Sequence, residues 1–372
     1  MVFFWKLCLM KDLSEKHFLA ALWKIPDLRL DLFKKLHNHF ASGQKIWNAD
    51  YSALIRLGVT AAMAEKIIEA RKKINPEKIL PEIEKNGIKV LEFSEPEYPD
   101  NLKTISDPPR ILFMRGEIKP QDATAIAVVG TRKASNSGLS TARWLARELG
   151  GMGFSIVSGL ARGVDAAAHQ GALESGGRTL AVLGCGVDVV YPPEHRKLKQ
   201  EVEAKGAVIS EFPPGTPPYA WNFPARNRII SGLALGVIVA EAGEKSGALI
   251  TADFALEQGR EVFAIPGNIR AESGKGSNML LKQGAKMVAS VEDILEELNL
   301  EYRRDEPPVS RLTDPQLKIL GILDSDGVEI EKIIELSGFN SSQTLAHLFT
   351  LESLGMVERF PGNVYIKVKG KD

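Results

Sequence analysis

Three patterns of apolar spacing succeed one another along the chain. Up to about Lys85 the apolar positions recur at helical intervals, over His17 to Ile25, Leu28 to Phe40, Tyr51 to Leu57 and Met63 to Ile74, with almost no strand signal. From Ile88 to about Leu300 the pattern changes to short apolar runs ending in glycine, each followed by an amphipathic stretch of helix length. Strands are expected at Ala125 to Gly130, Ser155 to Ser158, Thr179 to Leu183, Ala207 to Ser210, Gly236 to Ala240 and Glu261 to Ala264. Alternation of this kind predicts an α/β fold, a Rossmann-like doubly wound parallel sheet. The closing segment reads as helices over Asp314 to Leu323, Ile330 to Ser337 and Ser341 to Leu354, then a hairpin of Met356 to Phe360 and Val364 to Val368 around a Pro-Gly-Asn turn. Three helices followed by a hairpin form a winged helix-turn-helix pattern. The expected organisation is an all-helical domain at 1–85, the α/β core at 86–302, a charged, proline-containing linker at 303–309 and a winged helix at 310–372.

Composition narrows the partners. The 372 residues, 44% hydrophobic and 25% charged, are enough for two or three domains. The 47 basic and 47 acidic residues cancel, so no bulk basic field attracts a polyanion. Residues 1–85 carry 15 Lys and Arg against 10 Asp and Glu, residues 86–309 carry 25 against 28, and residues 310–372 carry 7 against 9. The core can therefore hold anions only by local placement of basic side chains in loops. Cys8 and Cys185 are the only cysteines and lie far from any metal-ligand spacing. A reducing compartment and no structural metal are expected. The apolar opening Val2 to Trp5 is interrupted by Lys6, Lys11 and Asp12, too soon for a membrane span. It reads as the first turn of a core helix in a cytoplasmic protein.

Four strand-to-loop junctions of the core carry basic residues. They are Gly130-Thr131-Arg132-Lys133, the run Ser158 to Gly163 with Arg162, the run Phe223 to Ile230 with Arg226, Asn227 and Arg228, and the run Glu241 to Gly247 with Lys245 and Ser246. In an open parallel sheet ligands bind outside the carboxyl ends of the strands, where the following helices present free N–H groups. Basic loops at that edge predict a polyanion groove, and a guanidinium can chelate two phosphate oxygens. The first loop lacks the Gly-x-Gly-x-x-Gly run of a dinucleotide site, and no cofactor is expected. Gly130 allows a tight turn there, and Gly247 with Ser246 makes an anion nest at a helix start near Ala248. Tyr219, Trp221 and Phe223 precede the arginines, and aromatics interleaved with guanidinium groups suit single-stranded nucleic acid. For Trp221 a buried core position and a base platform are equally open. Asp165 and His169 lie one helical turn apart, but no nucleophile or second carboxylate accompanies them. A cap and a hydrogen-bonded histidine are preferred over an acid/base pair.

In this order the motifs resemble the DNA-processing protein A family (DprA, also called Smf) over essentially the whole chain. The resemblance is carried by Val129 to Arg132 with Ala134-Ser135, Ser158 to His169, Leu183 to Asp188 with Tyr191-Pro192, and Ser210-Glu211 with Pro213 to Gly215. It continues through Phe223 to Gly232, Val239 to Ala252, and Gly259 to Gly267. It implies a non-enzymatic, homodimeric protein that binds single-stranded DNA and loads the RecA recombinase during natural transformation, with the single-strand-binding protein as a further partner. Carried over residue by residue, the DNA pocket comprises Gly130, Arg132, Phe223, Arg226, Asn227, Arg228, Lys245, Ser246 and Gly247, with Arg162 beside it. Ala220 stands where some members carry a basic residue, and Ser137 where an aromatic is often seen. The amino-terminal segment resembles helix-hairpin-helix or sterile-alpha-motif-like units. Its first hairpin, Ile25 to Arg29, lacks glycines, and its second keeps Leu57-Gly58-Val59. The third helix of the winged module offers Gln343 and His347 but no Lys or Arg, so contact with protein rather than DNA is expected of it.

Two other functions compete. Rossmann-like domains of similar outline hydrolyse nucleoside monophosphates at the ribose-base bond, and Glu241 and Glu257 lie near the appropriate edge. The Pro-Gly-Gly-x-Gly-Thr loop of such a site is absent. A transcription regulator would use the winged helix to read operators, against which stands the acidic balance of that module.

Overall fold

A computed structural model describes residues 13–300, 312–324, 327–354, 356–360 and 362–367. The apolar opening and the linker 303–309 lie outside the described residues. The chain divides into two compact units, Met1–Glu301 and Tyr302–Asp372.

The first unit opens with helices α1 (Glu15–Leu22), α2 (Leu30–Phe40), α3 (Gly43–Asn48), α4 (Tyr51–Arg56), α5 (Ala61–Lys73) and α6 (Pro76–Lys85). Local chemistry starts several of them. Asp50 Oδ1 accepts from Ala53 N at 2.7 Å, and Asn75 caps a helix whose first residue is Pro76. Two of these helices, α3 and α6, are not apparent in the apolar spacing, because each is short and carries only a few apolar residues.

There follow β1 (Lys89–Glu92), α7 (Asp100–Lys103), β2 (Ile111–Gly116), β3 (Ile126–Gly130), α8 (Asn136–Gly151), β4 (Ile156–Ser158), α9 (Val164–Glu174), β5 (Thr179–Val182), α10 (Arg196–Lys205) and β6 (Ala207–Ser210). The unit continues with α11 (Asn222–Leu233), β7 (Gly236–Glu241), α12 (Gly247–Glu257), β8 (Glu261–Ala264), α13 (Lys275–Lys282), β9 (Lys286–Met287) and α14 (Glu292–Glu297). The sheet order is β1-β2-β6-β5-β4-β3-β7-β8-β9. From β6 to β9 all pairings are parallel, whereas β1-β2 and β2-β6 are antiparallel. All six expected strands are present. The antiparallel extension escaped the βα rhythm because no crossover helix of full length joins β1 to β2.

Each central strand buries both faces, as parallel strands must. Ala181 and Val208 belong to a core shared with the amino-terminal helices, while Leu180, Val182, Ala207 and Ile209 belong to a second core with α11 and α12. Chain order reverses at β3, which has β4 on one side and β7 on the other. That is the switch point at which this architecture binds ligands.

The second unit contains α15 (Asp314–Ile322), β10 (Val328–Glu329), α16 (Ile330–Ser337), α17 (Ser341–Ser353), β11 (Val357–Phe360) and β12 (Val364–Lys367). Its sheet runs β10-β12-β11, so the expected hairpin gains a short third strand. Ile319, Ile333, Leu348, Leu351 and Tyr365 form its core. Gln343 is engaged in a capping box, accepting from Asn340 N at 3.2 Å while its own N–H donates to Asn340 Oδ1 at 2.9 Å.

Candidate nucleic-acid interface

The loops at the carboxyl ends of the central strands border an open cleft of about 600 Å³. Helix α11 supplies one wall. It starts in a segment with Pro224 inside the first turn, where proline is tolerated because the N–H groups have no intrahelical partner. Phe223, Arg226, Asn227 and Ile230 all line the cleft, which is the i, i+3, i+4, i+7 stripe of one helical face. Arg228 lies two positions beyond Arg226, about 200° around the axis at 3.6 residues per turn, and does not line it.

The loop after β3 forms the rim. Gly130 is required there by close approach, since a β-carbon would come within 2.5 Å of Val164 Cγ2 and 2.8 Å of Glu241 O. Its φ is not positive, so tight packing rather than an unusual turn accounts for the glycine. Arg132 and Lys133 follow, both exposed. Arg132 Cζ stands 5.3 Å from the Phe223 ring centroid, and Arg226 Cζ stands 5.8 Å from it. Both are within cation-π range. The Tyr191 ring is 5.5 Å from Phe223 at 45°. Ser246 and Gly247, at the start of α12, also line the cleft, and Lys245 is exposed beside them in the chain.

The basic residues divide by environment. No ion pair is found for Arg132, Lys133 or Lys245 among the described residues. Arg162 is half exposed and pairs with Glu194 at the rim of a small adjoining pocket. Arg226 is 4% exposed. Its Nη1 donates to Gly159 O at 2.8 Å and to Val182 O, and its Nε donates to Asn227 Oδ1 at 3.2 Å. It thereby bonds a carbonyl just past β4 and one at the end of β5. Burial lowers its pKa to about 10, which leaves it charged at neutral pH. Asn227 passes the network on, its Nδ2 donating to Gly247 O at 3.1 Å. Arg228 lies in a buried ion pair with Glu211 at 2.7 Å and also meets Asp107 at 3.0 Å, which Lys34 of α2 contacts in turn.

Asp165 Oδ2 accepts from Gly159 N at 3.2 Å and Ala161 N at 3.4 Å, and burial pushes its carboxyl upward. His169 is fully buried with Nδ1 at 2.6 Å from Thr179 Oγ1, and burial holds its pKa down to about 3. Both side chains are committed to loop and sheet rather than to each other. Two further lining residues, Lys133 and Tyr191, stand within motifs quoted from the sequence but not among the residues of the expected DNA pocket. Adjacency to Arg132 was the available cue for the first. Tyr191 arrives from the loop after β5, and its cue was its place in the Tyr191-Pro192 motif rather than charge or spacing. Trp221 proves to be 61% exposed and stacked on Tyr219 at 4.8 Å and 8°.

The family model for DNA recombination-mediator protein A matches residues 89–299, and that for the DprA winged helix domain matches residues 303–363. The chain belongs to the DprA/Smf family. Among DprA/Smf relatives, Protein Smf of Synechocystis is 34% identical over 95% of this chain and 98% of its own length. DNA processing protein DprA of Bacillus subtilis is 40% identical over 69% of this chain and 91% of its own. Among solved structures, DprA of Streptococcus pneumoniae superposes with a TM-score of 0.66 at 34% identity, covering 78% of this chain and 99% of that one. DNA processing protein A of Helicobacter pylori, described for its single-stranded DNA binding mode, gives 0.52 at 31% identity over 58% and 97%. No helix among the described residues is long and apolar enough to cross a membrane.

Proposed function

We propose that this chain is a single-stranded DNA-binding recombination mediator that protects incoming strands and loads RecA onto them during DNA uptake, acting as a homodimer and without catalysis. The observation that carries the reading is Arg132, exposed and without an ion pair among the described residues, placed over the Phe223 ring at the mouth of the cleft. Arg132, Lys133 and Lys245 hold backbone phosphates, and Phe223 offers its ring to a base. Arg226 and Asn227 form the cleft wall beneath them, and Arg228 fixes α11 to the body of the unit. Arg162 touches the strand at the rim when it leaves Glu194. Membership of a recombination-mediator family and the single-strand binding described for the Helicobacter pylori protein support the assignment. The nucleotide-hydrolase reading is disfavoured because Glu241 is 6% exposed and bonded to Ser135, while Glu257 ends α12. The acidic winged helix is a protein-contact module in this scheme.

Titration of fluorescent oligo-dT and a matched duplex across a salt series tests it. The Arg132→Ala, Lys133→Ala double variant should bind oligo-dT on the order of ten-fold or more weakly. Its log-log salt slope should be shallower by about 1.4, since each single-strand phosphate contact contributes about 0.7. Unchanged affinity and slope would overturn the assignment. RecA nucleation on oligo-dT coated with single-strand-binding protein, with and without this chain, tests the loading step.

A further inference from the structure

On folds of this kind, the free N–H groups of the helix that follows the first strand at the switch point hold a nucleotide phosphate. Here that position belongs to β3, its loop and α8, and it is filled from within. Glu241, the last residue of β7, is 6% exposed. Its Oε2 accepts from Ser135 N at 3.0 Å and from Ser135 Oγ at 2.8 Å, and its Oε1 lies 3.3 Å from the same N–H. Ser135 is the N-cap of α8, its Oγ accepting from Gly138 N at 3.0 Å. The carboxylate presses on the first helical turn so closely that a β-carbon at Gly138 would fall 1.7 Å from Oε2. A negative charge at a helix N-terminus is favourable, and this one leaves no room for another.

The same residue also holds the other end of the loop. Thr131 N donates to Glu241 O at 2.7 Å, where the β3-β7 register slips between Val129 and Gly130. Both ends of the segment 131–135 are thus clasped to Glu241, and between them Arg132 and Lys133 are exposed.

We propose that Glu241 is a positioning and specificity residue. It occupies the nucleotide-phosphate position with the protein's own carboxylate, so that free phosphates and mononucleotides are refused, and it presents Arg132 and Lys133 to an extended polyanion outside. The second half of this statement rests on the strand-binding reading of the cleft; the first does not.

Thermal unfolding in inorganic phosphate or AMP, against sodium chloride of matched ionic strength, tests the first half. A ligand that binds only the native state raises the melting temperature by mass action. The wild type should show no rise beyond the chloride control. Glu241→Ala and Glu241→Ser, which both empty the position, should each show one. Two variants guard against a folding failure in either. A folded variant with no phosphate-dependent rise, or a wild type that rises as far as the variants do, overturns the proposal. Oligo-dT affinity is read in parallel. Glu241→Ala should weaken it on the order of ten-fold, equivalent to about 1.4 kcal/mol, and unchanged affinity removes the positioning role. If the wild type binds no oligo-dT at all, the strand-binding reading fails while the phosphate result still decides the refusal of nucleotides.

Discussion

The loop after β3 and the first turns of α11 each bring an arginine to the Phe223 ring, and the two arginines live in opposite environments. Arg132 is exposed, and no ion pair is found for it among the described residues. Arg226 is buried, with its donors directed at two backbone carbonyls and an amide oxygen. A charge that is already desolvated and satisfied gains little from a phosphate, because new hydrogen bonds would have to replace existing ones. A charge still in water can exchange counterions for phosphates, the main source of affinity for nucleic acid. A basic residue in such a motif can therefore serve as the frame of a cleft, and its burial and partners distinguish that role from contact with a polyanion.

The strongest way to break that division is at Arg228, the most deeply paired of the α11 arginines. Its side chain and that of Glu211 are 5% and 4% exposed, so removing the cation leaves a carboxylate buried without compensation. Arg228→Ala should lose about 3–5 kcal/mol of stability, read as a lowered denaturant midpoint. A double change, Arg228→Met with Glu211→Leu, should recover most of it, since an apolar pair of similar volume removes both buried charges. Weak oligo-dT binding in a fully stable Arg228→Ala protein would instead place this arginine among the strand contacts.

Arg226→Ala comes next. Two charge-assisted hydrogen bonds to Gly159 O and Val182 O are lost, and the expected destabilisation is about 1.5–3 kcal/mol. Affinity for oligo-dT should fall with it, because the end of β4 and the Phe223 ring lose a common support. The signature that separates framing from contact is the joint loss of stability and binding, against a loss of binding alone at Arg132.

Much of this was legible in the chain, and the part that was not has a definite cause. The six parallel strands announced themselves as short apolar runs before helices, and their order placed the basic loops at one edge. The helical period alone separates Arg226 from Arg228, since residues two apart do not share a face. What the sequence could not display is the partner: Glu211 and Asp107 lie 17 and 121 positions from Arg228 along the chain. Charge is a property of a residue, but availability is a property of its neighbours, and those are set by tertiary packing. The antiparallel strands β1 and β2 were missed for a related reason, as their pairing joins segments with no βα unit between them. Trp221 illustrates the converse, for both a core and a surface position were consistent with its spacing, and only the fold decides.

That tryptophan supplies the finest cut through the comparison. It stands 61% exposed and nearly parallel to Tyr219, near a cleft whose exposed cations, on the proposed reading, act through charge. If the pair serves as a second platform for bases, its contribution is stacking, which is indifferent to counterions. Trp221→Ala should leave stability within about 0.5 kcal/mol, as surface substitutions do, and weaken oligo-dT binding by roughly 1 kcal/mol, the lower end of base-aromatic stacking. The loss should be the same at every salt concentration, leaving the log-log slope parallel to that of the wild type. Arg132→Ala, by contrast, should flatten the slope by about 0.7. A Trp221→Ala slope that flattens would mean the ring acts by seating a neighbouring cation. An unchanged affinity would confine the strand to the cleft between Arg132 and Phe223.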